Sequence, residues 1–315
     1  MVIVSAPGKV HLMGEHAVVY GKPALLAAID LRMRVTIEEH AGQREPIRIY
    51  SAEPTEYARF AVDFLLTRLH ISPHAPVTIT INSDIPAGYH LGSSAAVAVA
   101  LSGALLYFFK KLWNPMKINE LAYEIEKKQH GNPSGGDNTT VTVGGFVWYR
   151  KELEFLKSIW QLPFKPHASL NHFFLINTGK PKETTGEMVA FVRSLFMVHS
   201  SQYEEIFNEN EKQVKRITTA LRDGREEELI DAIRIGEKTL EHMGVVSKKV
   251  TPLIRAIEQA GGAVKILGGG GKTDGVGFIL CYHHTPKQIE TLTKPLGYGI
   301  QTVCLGEEGV RLDER

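Results

Sequence analysis

Cysteine is scarce. Cys281 and Cys304 are the only two in 315 residues, far apart and outside any C-x-x-C pair. That spacing argues against a disulfide-stapled scaffold or a zinc finger and leaves two reduced, buried thiols as the expectation. An excess of one charge sign is missing too. Lys and Arg total 36 against 35 Asp and Glu, a net charge of +1. No long-range field therefore draws the chain to nucleic acid or an anionic membrane, although a local basic pocket remains compatible. Long apolar runs are absent apart from residues 91–109. That run opens with Gly-Ser-Ser, is broken by Ser102-Gly103 and is rich in Ala, which fits a buried helix better than a membrane span. The first ten residues, MVIVSAPGKV, lack a basic segment followed by an apolar one, so no signal peptide is expected and the protein reads as cytoplasmic. Repeats, low-complexity tracts and heptads are also missing.

What remains is an ordinary globular composition, 43% apolar and 23% charged, in a chain long enough for two sub-domains. β-Branched or alternating segments predict strands over 34–39, 46–51, 77–85, 138–150, 172–178, 263–267, 275–284 and 299–306. Helical spacing predicts helices over 56–70, from Ser93 onward, over 118–131 with a stop at Gly131, and over about 184–197, 201–222, 225–243, 248–260 and 286–296. A stretch without period and with two prolines, 157–171, marks the boundary between residues 1–165 and 166–315. The expected class is α+β, with helices packed on mostly antiparallel sheets.

Four stretches could carry chemistry. IPAGYHLGSSAA (85–96) reads as a loop opening into a helix, whose exposed N–H groups and dipole suit a phosphate. The plainer reading makes Ser93 the cap of a core helix. SAPGKVHLMGEHAVVYGKPAL (5–25) contains Pro7-Gly8, read as a turn after the first strand, then Lys9, Glu15 and His16 in apolar surroundings where unpaired charge is costly. QHGNPSGGDNTTVTVGG (129–145) delivers Asp137 to the mouth of a strand, either as a base or as part of an Asx-turn. AVKILGGGGKTDGVGFIL (263–280) invites comparison with a P-loop. However, G-x-x-x-x-G-K-[ST] needs Gly where Ile266 stands, and a strand rather than a helix follows. A strand–Gly loop–strand hairpin is the better expectation.

In this order the four stretches resemble the GHMP small-molecule kinases. Residues 6–25 and 130–145 are similar to the mevalonate kinases among them, and the resemblance runs over essentially the whole chain. It implies an N-terminal lobe like ribosomal protein S5 domain 2, a ferredoxin-like C-terminal lobe closed by the Gly-rich hairpin, and a cleft for ATP, Mg²⁺ and mevalonate. It further implies Asp137 as catalytic base beside Lys9, and Ser94 and Glu126 as Mg²⁺ ligands. Helical periodicity alone does not choose Glu126 over Glu124. Gly88, His90, Gly92, Ser93, Ser94 and Ala95 would bind ATP. Lys9, Glu15, His16, Asp137, Thr184, Gly269 and Gly270 would line the substrate side. Many relatives are dimers, so a homodimer is also implied.

Two loops depart from the family pattern. Tyr89-His90 stands where Ala-Gly is usual, so the rings point outward, or His90 contacts phosphate, or nucleotide affinity falls. The loop 268–271 is shorter than usual and Leu267 replaces a small hydroxyl residue. A related kinase for another small alcohol, or a sensor that binds without turnover, therefore stands beside the mevalonate reading.

Overall fold

The computed structural model describes residues 1–40, 46–130, 133–153 and 155–314. Among them the strands are β1 (Val2–Met13), β2 (Pro23–Glu39), β3 (Ile47–Ser51), β4 (Val77–Ser83), β5 (Phe146–Lys151), β6 (Lys157–Gln161), β7 (Phe173–Asn177), β8 (Ala263–Ile266), β9 (Phe278–Tyr282), β10 (Ile300–Val303) and β11 (Arg311–Glu314). The helices are α1 (Glu56–Arg68), α2 (Ser93–Lys110), α3 (Pro115–His130), α4 (Gly136–Val143), α5 (Thr185–Val198), α6 (Ser200–Asp223), α7 (Glu226–His242), α8 (Thr251–Gln259) and α9 (Pro286–Thr293). The expected stop of α3 at Gly131 lies outside the described residues.

The first sheet runs β11-β1-β2-β4-β3. β5 pairs with the first part of β2, and β6 pairs with β5. Only β3 and β4 are parallel. The second sheet is antiparallel in the order β10-β7-β9-β8. Numbered from β7, that order is 4-1-3-2, the ferredoxin-like arrangement, with α5 to α8 inserted after its first strand. β11 returns to the first sheet beside β1, and a single apolar cluster runs from Val4 and Leu101 to Leu175, Val214 and Leu280.

The uncharged segment 91–109 forms the centre of that cluster. α2 is long and apolar enough to cross a membrane by length and composition, yet its residues from Ala95 to Leu106 are almost all buried within the protein. Alanine favours the helix and lets it lie close to the sheet. Cys281 is buried and Cys304 half-buried, and both are free.

Two local expectations fail. Pro7-Gly8 is not a turn but continuous strand within β1, and the pairing shifts there from Pro7–Arg32 to Gly8–Ile29, leaving Asp30 and Leu31 as the extra residues of a bulge on β2. Residues 138–143 belong to helix α4 rather than to a strand. The Thr140 and Thr142 hydroxyls donate to the Gly136 and Asn138 carbonyls at 2.8 and 2.7 Å, while Asn138, Val141 and Thr142 are buried. Burial against neighbouring helices outweighs the β preference of Thr-Thr-Val-Thr-Val.

Candidate active site

β1 supplies one wall of a cleft of about 670 Å³, a size suited to a small-molecule site. Beyond the shift at Pro7-Gly8, Lys9 and His11, two apart, fall on the same face of the strand, and both line the cleft. The Lys9 N–H donates to the Leu91 carbonyl at 2.9 Å, tying the strand to the 85–92 loop. Gly92 must be glycine here. Its φ is +79°, and a β-carbon would fall 2.7 Å from the Lys9 Cγ. The Lys9 stem thus passes under the loop and carries a nearly buried ammonium to Asp137 Oδ2, 2.9 Å away.

Asp137 sits in the first turn of α4, which begins at Gly135 with φ +83° and no side-chain cap. Burial pushes its carboxyl up, but the Lys9 ammonium beside it pulls it down further, and it ends below the usual carboxylate range. It is therefore ionised at neutral pH.

α2 starts on Gly92, also without a side-chain cap or an acidic residue in its first turn. Its leading N–H groups and dipole thus face the cleft mouth unneutralised. Ser93 lies inside the helix, so the reading of it as a simple cap does not hold. Gly88, His90, Gly92, Ser93 and Ser94 line the cleft, whereas the Ala95 side chain is buried beneath it. Glu126 projects from α3 toward this helix start, with Oε2 3.4 Å from the Ser94 hydroxyl. Tyr57, from α1, donates to the other oxygen, Oε1. Glu124 points outward to Arg68 at 2.8 Å, so of the two carboxylates it is Glu126 that faces the α2 start.

The opposite wall begins after Gly14, whose φ of +107° turns the chain into a short 3-10 helix, His16–Tyr20. Glu15 pairs through Oε1 with the wholly buried Lys265 of β8. Lys265 also donates to the carbonyls of His11, at 3.0 Å, and of Ile266. His16 lies 3.1 Å from the Gly269 carbonyl. A carbonyl only accepts, so His16 Nε2 carries the proton. Burial holds its pKa near 4, and the ring stays neutral.

Thr184 lines the cleft, but its hydroxyl belongs to the capping box of α5. It accepts from the Glu187 N–H at 3.2 Å and donates to the Glu187 carboxylate at 2.9 Å. Gly269 lines the cleft, whereas Gly270 lies behind it with φ +71°. A β-carbon there would fall 2.1 Å from the Val245 carbonyl oxygen.

The altered loop is now legible. Tyr89 turns away from the cleft and meets Phe278 edge-on, with ring centroids 5.4 Å apart. His90 adopts φ +64°, a left-handed conformation uncommon outside Gly, Asn and Asp, and packs over Gly268. Its Nδ1 is 3.4 Å from the Thr185 hydroxyl, and its Nε2 is buried without a protein partner. Burial first, then Lys9, lowers its pKa to about 4. The GGGGKT segment is a loop between paired β8 and β9, as its sequence suggests. The Thr273 hydroxyl donates to the Glu183 carboxylate at 2.9 Å, and hydrogen bonding holds that carboxyl below its usual range against the cost of burial. With a strand rather than a helix after it, this is not a P-loop.

Residues 56–145 match the GHMP kinase N-terminal domain, and residues 1–39 match the galactokinase galactose-binding signature. The mevalonate kinase of Archaeoglobus fulgidus is 34% identical over 99% of this chain and all of its own. That of Pyrococcus abyssi is 30% identical over 100% of this chain and 98% of its own. The chain belongs to the mevalonate kinase family. It is accordingly an ATP-dependent kinase. The L. major mevalonate kinase, solved with R-mevalonate, shares the fold with a TM-score of 0.82 at 20% identity, over 97% of this chain and 96% of that one. The Methanococcus jannaschii enzyme does so at 0.80 and 24% identity, over 97% and 98%.

Kinases that use ATP commonly take it together with a divalent cation. Ser94 and Glu126 offer hard oxygen donors of the right kind, converging at an uncapped helix start. No cluster of three or more His, Cys, Asp or Glu occurs among the described residues. Such a pair fits an ion that takes its remaining ligands from phosphate and water. Sequence reasoning missed His11, Tyr57, Glu183, Glu237 and Lys265. The only available signal was their polarity within apolar strands or helices, and His11 alone carries it clearly, two residues from Lys9.

Proposed function

We propose that this kinase transfers the γ-phosphoryl group of ATP to the primary hydroxyl of mevalonate, giving 5-phosphomevalonate for isoprenoid precursors. The observation that carries the reading is the Lys9–Asp137 pair, 2.9 Å apart beside the uncapped start of α2. Phosphoryl transfer needs positioning and charge compensation more than covalent chemistry. Asp137, ionised and half exposed to the cleft, accepts the hydroxyl proton. Lys9 keeps that carboxylate ionised and faces the charge that spreads over the transferred group. The α2 start, with Gly88, His90, Gly92, Ser93, Ser94 and the Ala95 backbone, receives the triphosphate. Ser94 and Glu126 would hold Mg²⁺, which would supply positive charge against the phosphates. Glu15, His16, Thr184 and Gly269 form the mevalonate side, with Gly270 supporting it from behind.

The proposed lobes, 1–165 and 166–315, both line the cleft, with Glu15 and His16 of the first joining Thr184 and Gly269 of the second, and Arg311–Glu314 completing the sheet of the first. The reaction uses no nucleic acid or membrane and is assigned to the cytoplasm. The test is ADP release with Mg²⁺ and ATP on mevalonate, run beside phosphomevalonate, homoserine and galactose. Turnover confined to mevalonate is expected. Turnover on another alcohol alone, or on none, overturns the reading.

A further inference from the structure

The mechanism above leaves His11 without a task, although it stands on the catalytic strand and lines the cleft. Its Nδ1 lies 3.2 Å from the Lys9 ammonium. An ammonium has three N–H donors and no acceptor, so the imidazole must accept at Nδ1 and carry its own proton on Nε2. Burial and the charge of Lys9 hold its pKa near 3, and the ring is neutral through the working range. The groups that act on it are Lys9 on β1, Asp137 on α4, Lys265 on β8 and His90 in the 85–92 loop. The strand is fixed at this point because Lys265 donates to the His11 carbonyl at 3.0 Å.

The geometry of Lys9 follows. One N–H goes to Asp137 Oδ2 at 2.9 Å and a second to His11 Nδ1 at 3.2 Å. An ammonium held at one point rotates about its Cε–Nζ bond. Held at two, it has its third N–H direction set by tetrahedral geometry. We propose that His11 is a positioning residue, a second anchor that stops the rotation of the Lys9 ammonium and holds one N–H directed at the transferred phosphoryl group. Donors fixed before the charge develops stabilise a transition state more than donors that must turn to meet it. The proposal rests on the phosphoryl-transfer reading for its catalytic part. Its structural part, the two-point anchoring of Lys9, stands without it.

Two variants separate anchoring from packing. His11→Leu fills the same space without an acceptor, whereas His11→Asn places an amide oxygen near the position of Nδ1. With Mg²⁺, ATP and mevalonate, His11→Leu is expected to lose roughly 10- to 100-fold in kcat, with both KM values within about twofold of the parent. His11→Asn is expected to stay within about threefold of the parent. The acid limb of kcat should move to higher pH in His11→Leu alone, because a loosened Lys9 ammonium favours the ionised Asp137 carboxylate less.

The structural part is read in the unliganded protein. Nitrogen-15 NMR of the parent should show the Nε2–H tautomer of His11. Carbon-13 NMR should show the Asp137 carboxyl titrating higher in His11→Leu than in the parent or His11→Asn. An Nδ1–H tautomer, an unmoved Asp137 titration, or His11→Asn as impaired as His11→Leu overturns the proposal. A parent that does not turn over mevalonate while the NMR results hold overturns the substrate reading and leaves the anchoring supported.

Discussion

Replacing Lys265 with Met should destabilise the protein more than most single substitutions, and pairing it with a second change should restore part of the loss. The Lys265 side chain is 0% exposed and the Glu15 side chain 4%. Removing one partner leaves the other as an uncompensated buried charge, which costs about 3–5 kcal/mol. Glu237 lies in the same environment, but burial pushes its carboxyl up to about 8. It stays largely neutral at pH 7, so Lys265→Met leaves Glu15 as the charge without a counterion. Chains of this size lose roughly 0.7 kcal/mol of stability per degree near the midpoint, so the expected fall in Tm is about 6 °C.

Glu15→Leu together with Lys265→Met removes both charges. The double variant should recover about 2 kcal/mol relative to Lys265→Met, about 3 °C. It should stay below the parent, because the His11 and Ile266 carbonyls still lack their donor. Calorimetry at pH 7 on the parent, both single variants and the double variant is the assay. Additive losses, or a fall below about 1 °C in Lys265→Met, refute the argument that this pair is desolvated and mutually dependent.

Asp137→Asn should lower kcat by roughly 10²–10⁴-fold while ATP binding by calorimetry stays within a few-fold, since the α2 start is untouched. Loss of ATP binding together with the fold contradicts the role. His90→Gly should relieve a left-handed residue and leave stability within ~1 kcal/mol of the parent, yet raise the KM for ATP about three- to tenfold because the unpartnered Nε2 is lost. An unchanged KM places that nitrogen away from the phosphates. Glu237 binds a proton in the folded state up to about pH 8, against 4.5 when unfolded. The folded state therefore holds more protons between those values, and stability falls with rising pH there by up to ~1.4 kcal/mol per unit. Glu237→Gln should remove that slope, and parallel Tm–pH curves for parent and variant refute the assignment.

Legibility from sequence followed the range of the interaction. The Ala-rich run gave α2 because helix propensity and burial agree there, and the alternating pattern at 77–85 gave β4 for the same reason. Failures came where local preference and tertiary packing disagree. Thr139 to Val143 read as strand, but the fold buries them as helix, with two hydroxyls returned to the backbone. Pro7-Gly8 read as a turn because those residues favour one. Glycine's second use, allowing the strand to pass close against Ile29 and the Leu91 carbonyl, needs partners more than twenty residues away. The choice of Glu126 over Glu124 likewise depends on Arg68, Tyr57 and Ser94, none of which is near in sequence.

The same reasoning accounts for the two departures in the Gly loops, because they touch each other. A β-carbon on Gly268 would fall 2.5 Å from the Cβ and Cγ of His90, so the side chain gained in one loop is seated on a residue that lacks one in the other. Tyr89 meets Phe278, the first residue of β9, while His90 reaches Thr185 at the start of α5. The 85–92 loop thereby gains fixed contacts to β9, to Gly268 and to the start of α5 that an Ala-Gly segment could not make. Left-handed backbone at His90 is tolerated because these contacts determine it from three directions. The two unusual loops are thus better understood as one joined wall of the cleft than as two separate losses. A sequence that alters His90 while keeping a bare glycine at 268 would leave a gap where the imidazole now packs.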